Sequence, residues 1–202
     1  MLACNKKPSV TKENIPAIDS TEIKEAMQDS IWQTDSTKLV EFSNQVLHDI
    51  KMKNLDAISN RYIHPSFGTR FWPYGHVNMK TDLKLSPADF HELWSIPKEE
   101  NYKKTWGYYD GSGEPINMGI EEYFDKFVYD IDYENLASIY TTRYHMNSNS
   151  KNNIVEVYGL DGIVEYYYPG VTETDWKALR LIFRNFEGQY FLIGVMHDQW
   201  TI

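Results

Sequence analysis

Cysteine is nearly absent: Cys4 is the only one in 202 residues, so no disulfide can form within the chain. Basic residues are in deficit, 20 against 29 acidic, and no basic run exceeds a pair such as Lys6-Lys7. A nucleic-acid partner needs a basic footprint to neutralise phosphates, and that footprint is missing. No run approaches the ~18 consecutive apolar residues needed to cross a bilayer as a helix. The six histidines are scattered and the one cysteine is remote from them, so no zinc spacing occurs. Nucleophile-elbow, phosphate-loop and dinucleotide-binding patterns are missing too, and no cofactor is expected. These gaps exclude the reaction classes that announce themselves by motif.

What is plentiful is aromatic and acidic. Aromatic residues make up 15% of the chain, with 15 Tyr and 6 Trp, so ring packing should dominate whatever core or pocket forms. The net charge of −9 favours solubility. Hydrophobic residues reach 42%, enough for one core at this length.

The opening Met1-Leu2-Ala3-Cys4 places a small residue and an aliphatic one before a cysteine. That order resembles the end of a bacterial lipoprotein signal, in which the cysteine becomes the lipidated residue. Asn5 to about Ser30 is polar, with Pro8 and Pro16, and reads as a flexible tether. The expected organisation is therefore a leader remnant and tether over residues 1–30 and one globular domain over 31–202. Lipidation at Cys4 would put the domain outside the cytoplasm, anchored to the membrane of a bacterial cell envelope. The alternative is an ordinary N-terminus with a chance cysteine.

Within the body, Thr34-Asp35-Ser36 offers a helix N-cap, and Leu39, Val40, Val46, Leu47 and Ile50 follow at helical spacing. The pattern breaks at Lys51–Asn54 and restarts as a short helix ending near Tyr62. Phe67 to Tyr74 is aromatic and turn-rich, and the segment from Val77 to Leu85 suggests one or two short strands. Ser86-Pro87-Ala88-Asp89 is a helix start: Ser caps, Pro takes the first position, Asp favours the first turn. Trp106 to Pro115 reads as a loop. Ile120, Tyr123, Phe124, Phe127 and Val128 form an apolar helical stripe, and Tyr133 to Tyr140 a shorter helix. Ile154–Tyr158 and Ile163–Tyr168 suggest a hairpin around Asp161-Gly162.

The last two strands, around Phe186-Glu187-Gly188, admit two registers. A two-residue Glu187-Gly188 turn mixes polar and apolar residues on both faces. A three-residue loop pairing Asn185 with Gln189 puts Leu179, Leu181, Phe183, Phe191, Ile193 and Val195 on one face, and is the register expected. Helices first and long strands last predict an α+β fold: a curved antiparallel sheet packed against N-terminal and central helices. The element order resembles the cone-like nuclear-transport-factor-2-like superfamily.

Several strings also resemble a recurrent family of uncharacterised secreted bacterial lipoproteins. They are His64-Pro65 with Arg70-Phe71 and Pro73-Tyr74-Gly75; Trp106-Gly107 with Asp110-Gly111-Ser112-Gly113-Glu114-Pro115-Ile116; Val128-Tyr129-Asp130; Val164-Glu165-Tyr166-Tyr167; and the ending His197-Asp198-Gln199-Trp200-Thr201-Ile202. In similar sequences a small polar residue commonly stands where this chain has Trp72. The resemblance implies a secreted or surface protein. It carries no established activity and transfers no catalytic residue.

Candidate ligand-binding residues are His64, Arg70, Tyr74, Trp106, Asp110, Arg180, Asp198 and Trp200. Adjacent strand residues point to opposite faces, so His197 and Asp198 cannot form a local dyad. Asp198 falls on the Arg180 face, where the two either orient a ligand or close the sheet end as a structural pair; the structural pair is favoured. Arg70 suits a carboxylate or phosphate and His64 a proton transfer. Against that, Arg70 stacked on Phe71, Trp72 or Tyr74, and His64 bonded to a turn, is the plainer reading. The stretch from Trp106 to Glu114 mixes rings and acids as saccharide sites do. Its Asp110, Ser112 and Glu114, like Asp130, Asp132 and Glu134, resemble a calcium loop only faintly and lack its ligand ladder.

The functional expectation is a non-catalytic envelope lipoprotein that binds a glycan, a peptidoglycan fragment or a protein partner. The alternative is a small hydrolase or isomerase using His64, Asp110 or Asp198, which requires at least two of these groups to meet in one pocket.

Overall fold

A computed structural model of the chain describes residues 20–141, 144–145, 152–159 and 162–201, with side chains from Ser36 onward. Cys4 and most of the expected tether lie outside the described residues. The chain divides into two compact units, Met1–Asp35 and Ser36–Ile202, and everything below concerns the second unless stated.

The first helix, α1, spans Ser20–Lys51, so the N-cap expected at Thr34-Asp35-Ser36 lies inside it and the end of the expected tether is helical in backbone. The stretch from Glu22 to Gln28 is rich in straight-chain and alanine residues that favour helix, a preference outweighed in the sequence reading by its polarity. Lys53, at φ 51°, ends that helix region, and Asn54 caps α2 (Leu55–Ala57), which runs into a π-helical turn over Ile58–Tyr62.

The fold is α+β. Its main sheet has six strands in the order β2-β1-β8-β7-β6-β5. The strands are β1 (Thr69–Trp72), β2 (Lys84–Leu85), β5 (Ser138–Tyr140), β6 (Ile163–Tyr168), β7 (Lys177–Phe186) and β8 (Gln189–Gln199). The sheet is mixed rather than antiparallel as expected, because β1 runs parallel to β8, pairing Phe71 with Val195. Parallel pairing needs a long crossover, and here nearly the whole body lies between the two strands. A separate ribbon joins β3 (Lys104–Tyr108) to β4 (Pro115–Met118), so the expected loop is the end of a hairpin. The remaining helices are α3 (Pro87–Ser95), α4 (Ile120–Phe127), α5 (Tyr133–Leu136) and α6 (Ile154–Tyr158).

Ser86 caps α3 with a full capping box: its hydroxyl accepts from the Asp89 amide while the Asp89 carboxylate accepts from the Ser86 amide. The α4 stripe is buried as its spacing requires, at Ile120, Tyr123, Phe124 and Phe127. Two segments differ from expectation. Ile154–Tyr158 is a helix, not the first arm of a hairpin: the Asn152 side chain accepts from the Ile154 amide, and Ile154 is buried among Trp72, Val77 and Met196. The segment Tyr133–Tyr140 is helical only to Leu136 and then becomes edge strand β5.

The β7–β8 turn is the two-residue Glu187-Gly188, with Phe186 opposite Gln189, not the three-residue loop expected. Both turn residues have positive φ, 53° and 82°, as a tight hairpin turn demands. The register then shifts: Phe183 faces Leu192, but Ile182 faces Gly194, leaving Ile193 as a bulge. Beyond it, Leu179, Leu181 and Val195 share the main core with Leu192, while Phe191 and Ile193 leave that face. The core face packs on Val46, Leu47 and Ile50 of α1, on α4 and on Trp106. The opposite face is covered by a smaller cluster around Trp72, Ile163, Ile182 and Met196.

Candidate functional site

The bulge sets which side chains of β7 and β8 meet. His197 falls opposite Leu179 on the core face, and Asp198 opposite Ala178 on the other. Each is fully buried and each anchors a separate cluster of charges.

On the core face, His197 Nε2 lies 3.3 Å from Asp130 Oδ2, and its Nδ1 lies 3.3 Å from the Pro73 carbonyl. Both ring nitrogens therefore sit beside oxygen acceptors. Lys177 donates to the same Asp130 oxygen, and the Tyr133 hydroxyl donates to Oδ1 at 2.9 Å. Burial pushes the Asp130 pKa up, but the hydrogen bonds and charges of His197 and Lys177 together outweigh it and hold the carboxyl well below the usual range. The same burial, together with the charge of Asp130 and its hydrogen bond, raises the Tyr133 phenol well above its ordinary pKa. Phe127 sits edge-on to His197 at 5.8 Å between ring centroids, and also touches Tyr74 and Tyr109 at 5.9 and 6.3 Å.

That cluster opens outward. A cleft of about 620 Å³ is lined by Tyr74, Tyr109, Lys126, Phe127, Asp130, Lys177 and Gln199, with Glu122 and Asp125 at α4. Its size falls in the range of small-ligand sites. Five separate stretches of chain meet there: the segment just after β1, the β3–β4 hairpin, α4 with the residues just after it, the start of β7 and the end of β8. Gly107 permits this approach, since a Cβ there would come within 3.0 Å of the Pro73 ring and its φ is +144°. Lys126 Nζ donates to the Tyr109 hydroxyl at 2.9 Å and lies 4.9 Å above that ring's centroid.

On the other face, Glu165, Arg180 and Asp198 are all fully buried. Arg180 Nε donates to Glu165 at 2.7 Å, one terminal nitrogen to Asp198 at 2.8 Å, and the other to the His145 carbonyl at 2.6 Å. His145 returns the contact through its backbone amide and Nδ1, both on Glu165 Oε1, and stacks on Tyr167 at 3.6 Å. Asn152 donates to Asp198 Oδ2 at 3.3 Å, and Asp198 Oδ1 is buried with no hydrogen-bond partner among the described residues.

The residues singled out from sequence are divided among these places. Tyr74 lines the cleft, and Asp110 stands beside it: its backbone amide reaches the Tyr74 phenol and its carboxylate accepts from Thr201 at 2.6 Å. Trp106 is buried beneath, stacked on Tyr123 at 4.0 Å, with its indole N–H on the Met118 carbonyl. Arg180 and Asp198 form the sealed pair on the far face, and Trp200 packs near them against Tyr167, Trp176 and Ala178. His64 Nδ1 accepts from the Ser66 amide at 3.1 Å and stacks on Phe67, beside the β7–β8 turn. Arg70 donates to the Asp82 carbonyl at 3.1 Å. His64, Asp110 and Asp198 therefore do not meet in one pocket. Of the acids with a faint calcium pattern, Asp130 holds Lys177 and His197, while Asp132 and Glu134 hold Lys51 at 2.9 and 2.8 Å.

Lys126, Phe127, Asp130, Lys177 and His197 were not singled out from sequence as a binding set. The α4 stripe marks Phe127 as buried but does not say against what, and the faint calcium pattern at Asp130 names neither Lys177 nor His197 as its partner. A second hollow of about 360 Å³ between α3 and α4 is walled by Trp94, Tyr102 and Ile120, and no comparable set of buried, hydrogen-bonded charges opens into it.

Among the described residues no helix is long and apolar enough to cross a membrane. Comparison of the chain with family models, curated proteins and solved structures finds no match.

Proposed function

We propose that this chain is a non-catalytic binding module of the bacterial cell envelope that takes a saccharide-class ligand into the cleft beside Asp130. The observation that carries the reading is the convergence of Tyr74, Tyr109 and Phe127 with Asp130, Lys177 and Gln199 around one open space. Rings offer apolar faces to the C–H side of a sugar, and the polar tips serve its hydroxyls. Asp130 is aligned in advance by three donors, which lowers the ordering cost of binding.

Binding is favoured over catalysis by the state of the one histidine at the site. Its two nitrogens are both engaged and the ring is fully buried, so it has no free position from which to take a proton from a ligand. The location rests on Cys4 as a lipidation residue and on the resemblance to secreted lipoproteins. The long α1, the break after it, the short following helix and the terminal hairpin support a cone-like arrangement of the nuclear-transport-factor-2 kind.

The test is a thermal-shift and calorimetric screen with glucose, N-acetylglucosamine and their disaccharides. A ligand of the folded state raises the melting temperature with concentration. Tyr109→Ala should then weaken the binding about fivefold, the worth of one ring contact. Melting temperatures that stay put with every saccharide would overturn the reading.

A further inference from the structure

Resting on that reading, we infer that the ligand is a neutral oligosaccharide that crosses α4, with one end among the rings of the cleft and the other on Trp94 and Tyr102 in the hollow beyond the helix. The two spaces share a wall. Glu122 and Asp125 line both the cleft of about 620 Å³ and the hollow of about 360 Å³. Glu121 lines only the hollow, and Lys126 only the cleft. At about 3.6 residues per turn, the outer arc of α4 runs Glu121, Asp125, Glu122, Lys126. That order passes from the hollow to the cleft, and the shared pair forms an exposed crest between them.

The inner face of the same helix holds the rings on either side. Trp94 lies edge-on to Phe124 at 5.0 Å and stacks on Phe90 at 5.7 Å. Phe127, three residues after Phe124, carries Tyr74 and Tyr109 of the cleft. Residues three apart on a helix are neighbours, so a single turn of α4 fixes the two sets of rings relative to one another. Tyr102, 48% exposed, lines the hollow with Trp94 and leaves much of its ring to a ligand. Two ring platforms held at a fixed spacing favour one ligand long enough to use both.

Charge decides the kind of chain. Four carboxylates and four lysines line the two spaces together, so no net charge selects an ion. Several of them are already spent: Lys98 on Glu121 at 2.5 Å, Asp125 on Lys53 at 2.7 Å, and Lys177 on Asp130. Glu122, on the crest, has no cation on it among the described residues, and its carboxylate can accept from hydroxyls. A neutral chain of hydroxylated rings uses the aromatic faces at both ends and the acceptor between them.

Isothermal titration calorimetry on the whole chain, with cellobiose, cellotetraose, chitobiose and chitotetraose, tests the crossing. In the series that binds, the tetrasaccharide should bind about tenfold tighter than the disaccharide, the net worth of the added ring contacts. A longer repeating chain also gains a little by offering more registers, but that gain does not depend on Tyr102. Tyr102→Ala, at an exposed ring, should therefore weaken tetrasaccharide binding about fivefold and leave disaccharide binding unchanged. Tyr109→Ala should weaken both. Equal affinity for the two lengths, or a length gain that survives Tyr102→Ala, overturns the crossing and leaves the saccharide reading standing. Binding lost in Tyr102→Ala and untouched in Tyr109→Ala would put the ligand in the hollow alone and overturn both. Binding of none of the four overturns both.

Discussion

His197 and Asp198 are neighbours in sequence, yet one anchors the cluster at the cleft and the other the cluster sealed behind the sheet. The two clusters are built from the same kinds of group and differ in what surrounds them. Behind the sheet, Arg180 spans Glu165 and Asp198 with every member fully buried, and His145 closes the outer side. At the cleft, Asp130 is bracketed by a buried histidine and by a lysine that remains about a quarter exposed. Among the described residues the charges of the sealed cluster are spent mainly on one another. The open cluster presents a lysine to solvent at the edge of the cleft. Exposure, more than residue type, separates a structural charge cluster from a binding one.

The comparison is tested most strongly by removing the cation of each cluster. Arg180→Met leaves two buried carboxylates without the cation that spans them, a change that typically costs about 3–5 kcal/mol. Urea denaturation should report that loss, and adding Glu165→Gln with Asp198→Asn should restore part of it, since neutral amides tolerate burial better. If Arg180→Met unfolds no more easily than the native chain, the cluster is not sealed and the contrast fails. Lys177→Met should cost far less, because its ammonium reaches water and Asp130 keeps His197 and Tyr133.

The next effect concerns Asp130 itself. Its carboxyl is held below the usual range when folded, so the stability it adds is complete above the ordinary carboxylate pKa of about 4 and is lost as the pH falls below that. Asp130→Asn should lower stability at pH 7 by about 2 kcal/mol, the loss of charge-assisted bonds. It should also flatten the decline between about pH 5 and pH 2. Asp132 and Glu134, held down chiefly by hydrogen bonds from Asn135 and Lys51 respectively, add to the slope in both proteins, so the difference between the two urea titrations isolates Asp130. Parallel curves would mean that His197 and Lys177 do not hold this carboxyl below the usual range.

How far these arrangements could be read in advance depends on how local their causes are. The cap at Ser86 and the stripe from Ile120 to Val128 rest on spacings within two turns, and the sequence displays them directly. Arg180 and Asp198 were placed on one side of the sheet by a register that proved wrong at the turn, and the bulge at Ile193 restores the same parity, with Asp198 opposite Ala178 and not Trp176. Strand β1 was hidden, because Thr69 to Trp72 gains its identity by pairing with residues near Gly194 and Met196, far along the chain. The cleft was hidden for the same reason: His197 and Asp130 are 67 residues apart, and Lys177 and Asp130 are 47 apart. Ile154 to Tyr158 looked like a strand because β-branched residues favour one, but burial of Ile154 on the far face decided the matter. In the hairpin, unbroken alternation was assumed, and the bulge at Ile193 removed the conflict that had counted against the two-residue turn.

The smallest predicted effect tests that turn and touches neither cluster. A Cβ at Gly188 would meet nothing within 4 Å, so Gly188→Ala introduces no clash and its cost is that of a non-glycine residue at φ 82°. That cost is about 1 kcal/mol. The change lies at the far end of the hairpin from Lys177 and Gln199, so urea midpoints should fall while saccharide affinity stays as in the native chain. Glu187 already carries a strained φ of 53°, and Glu187→Gly should move the midpoint the other way by a smaller amount. A loss of ligand affinity in Gly188→Ala would show that strain at the turn travels through the bulge to His197, and that the two ends of the hairpin are not independent.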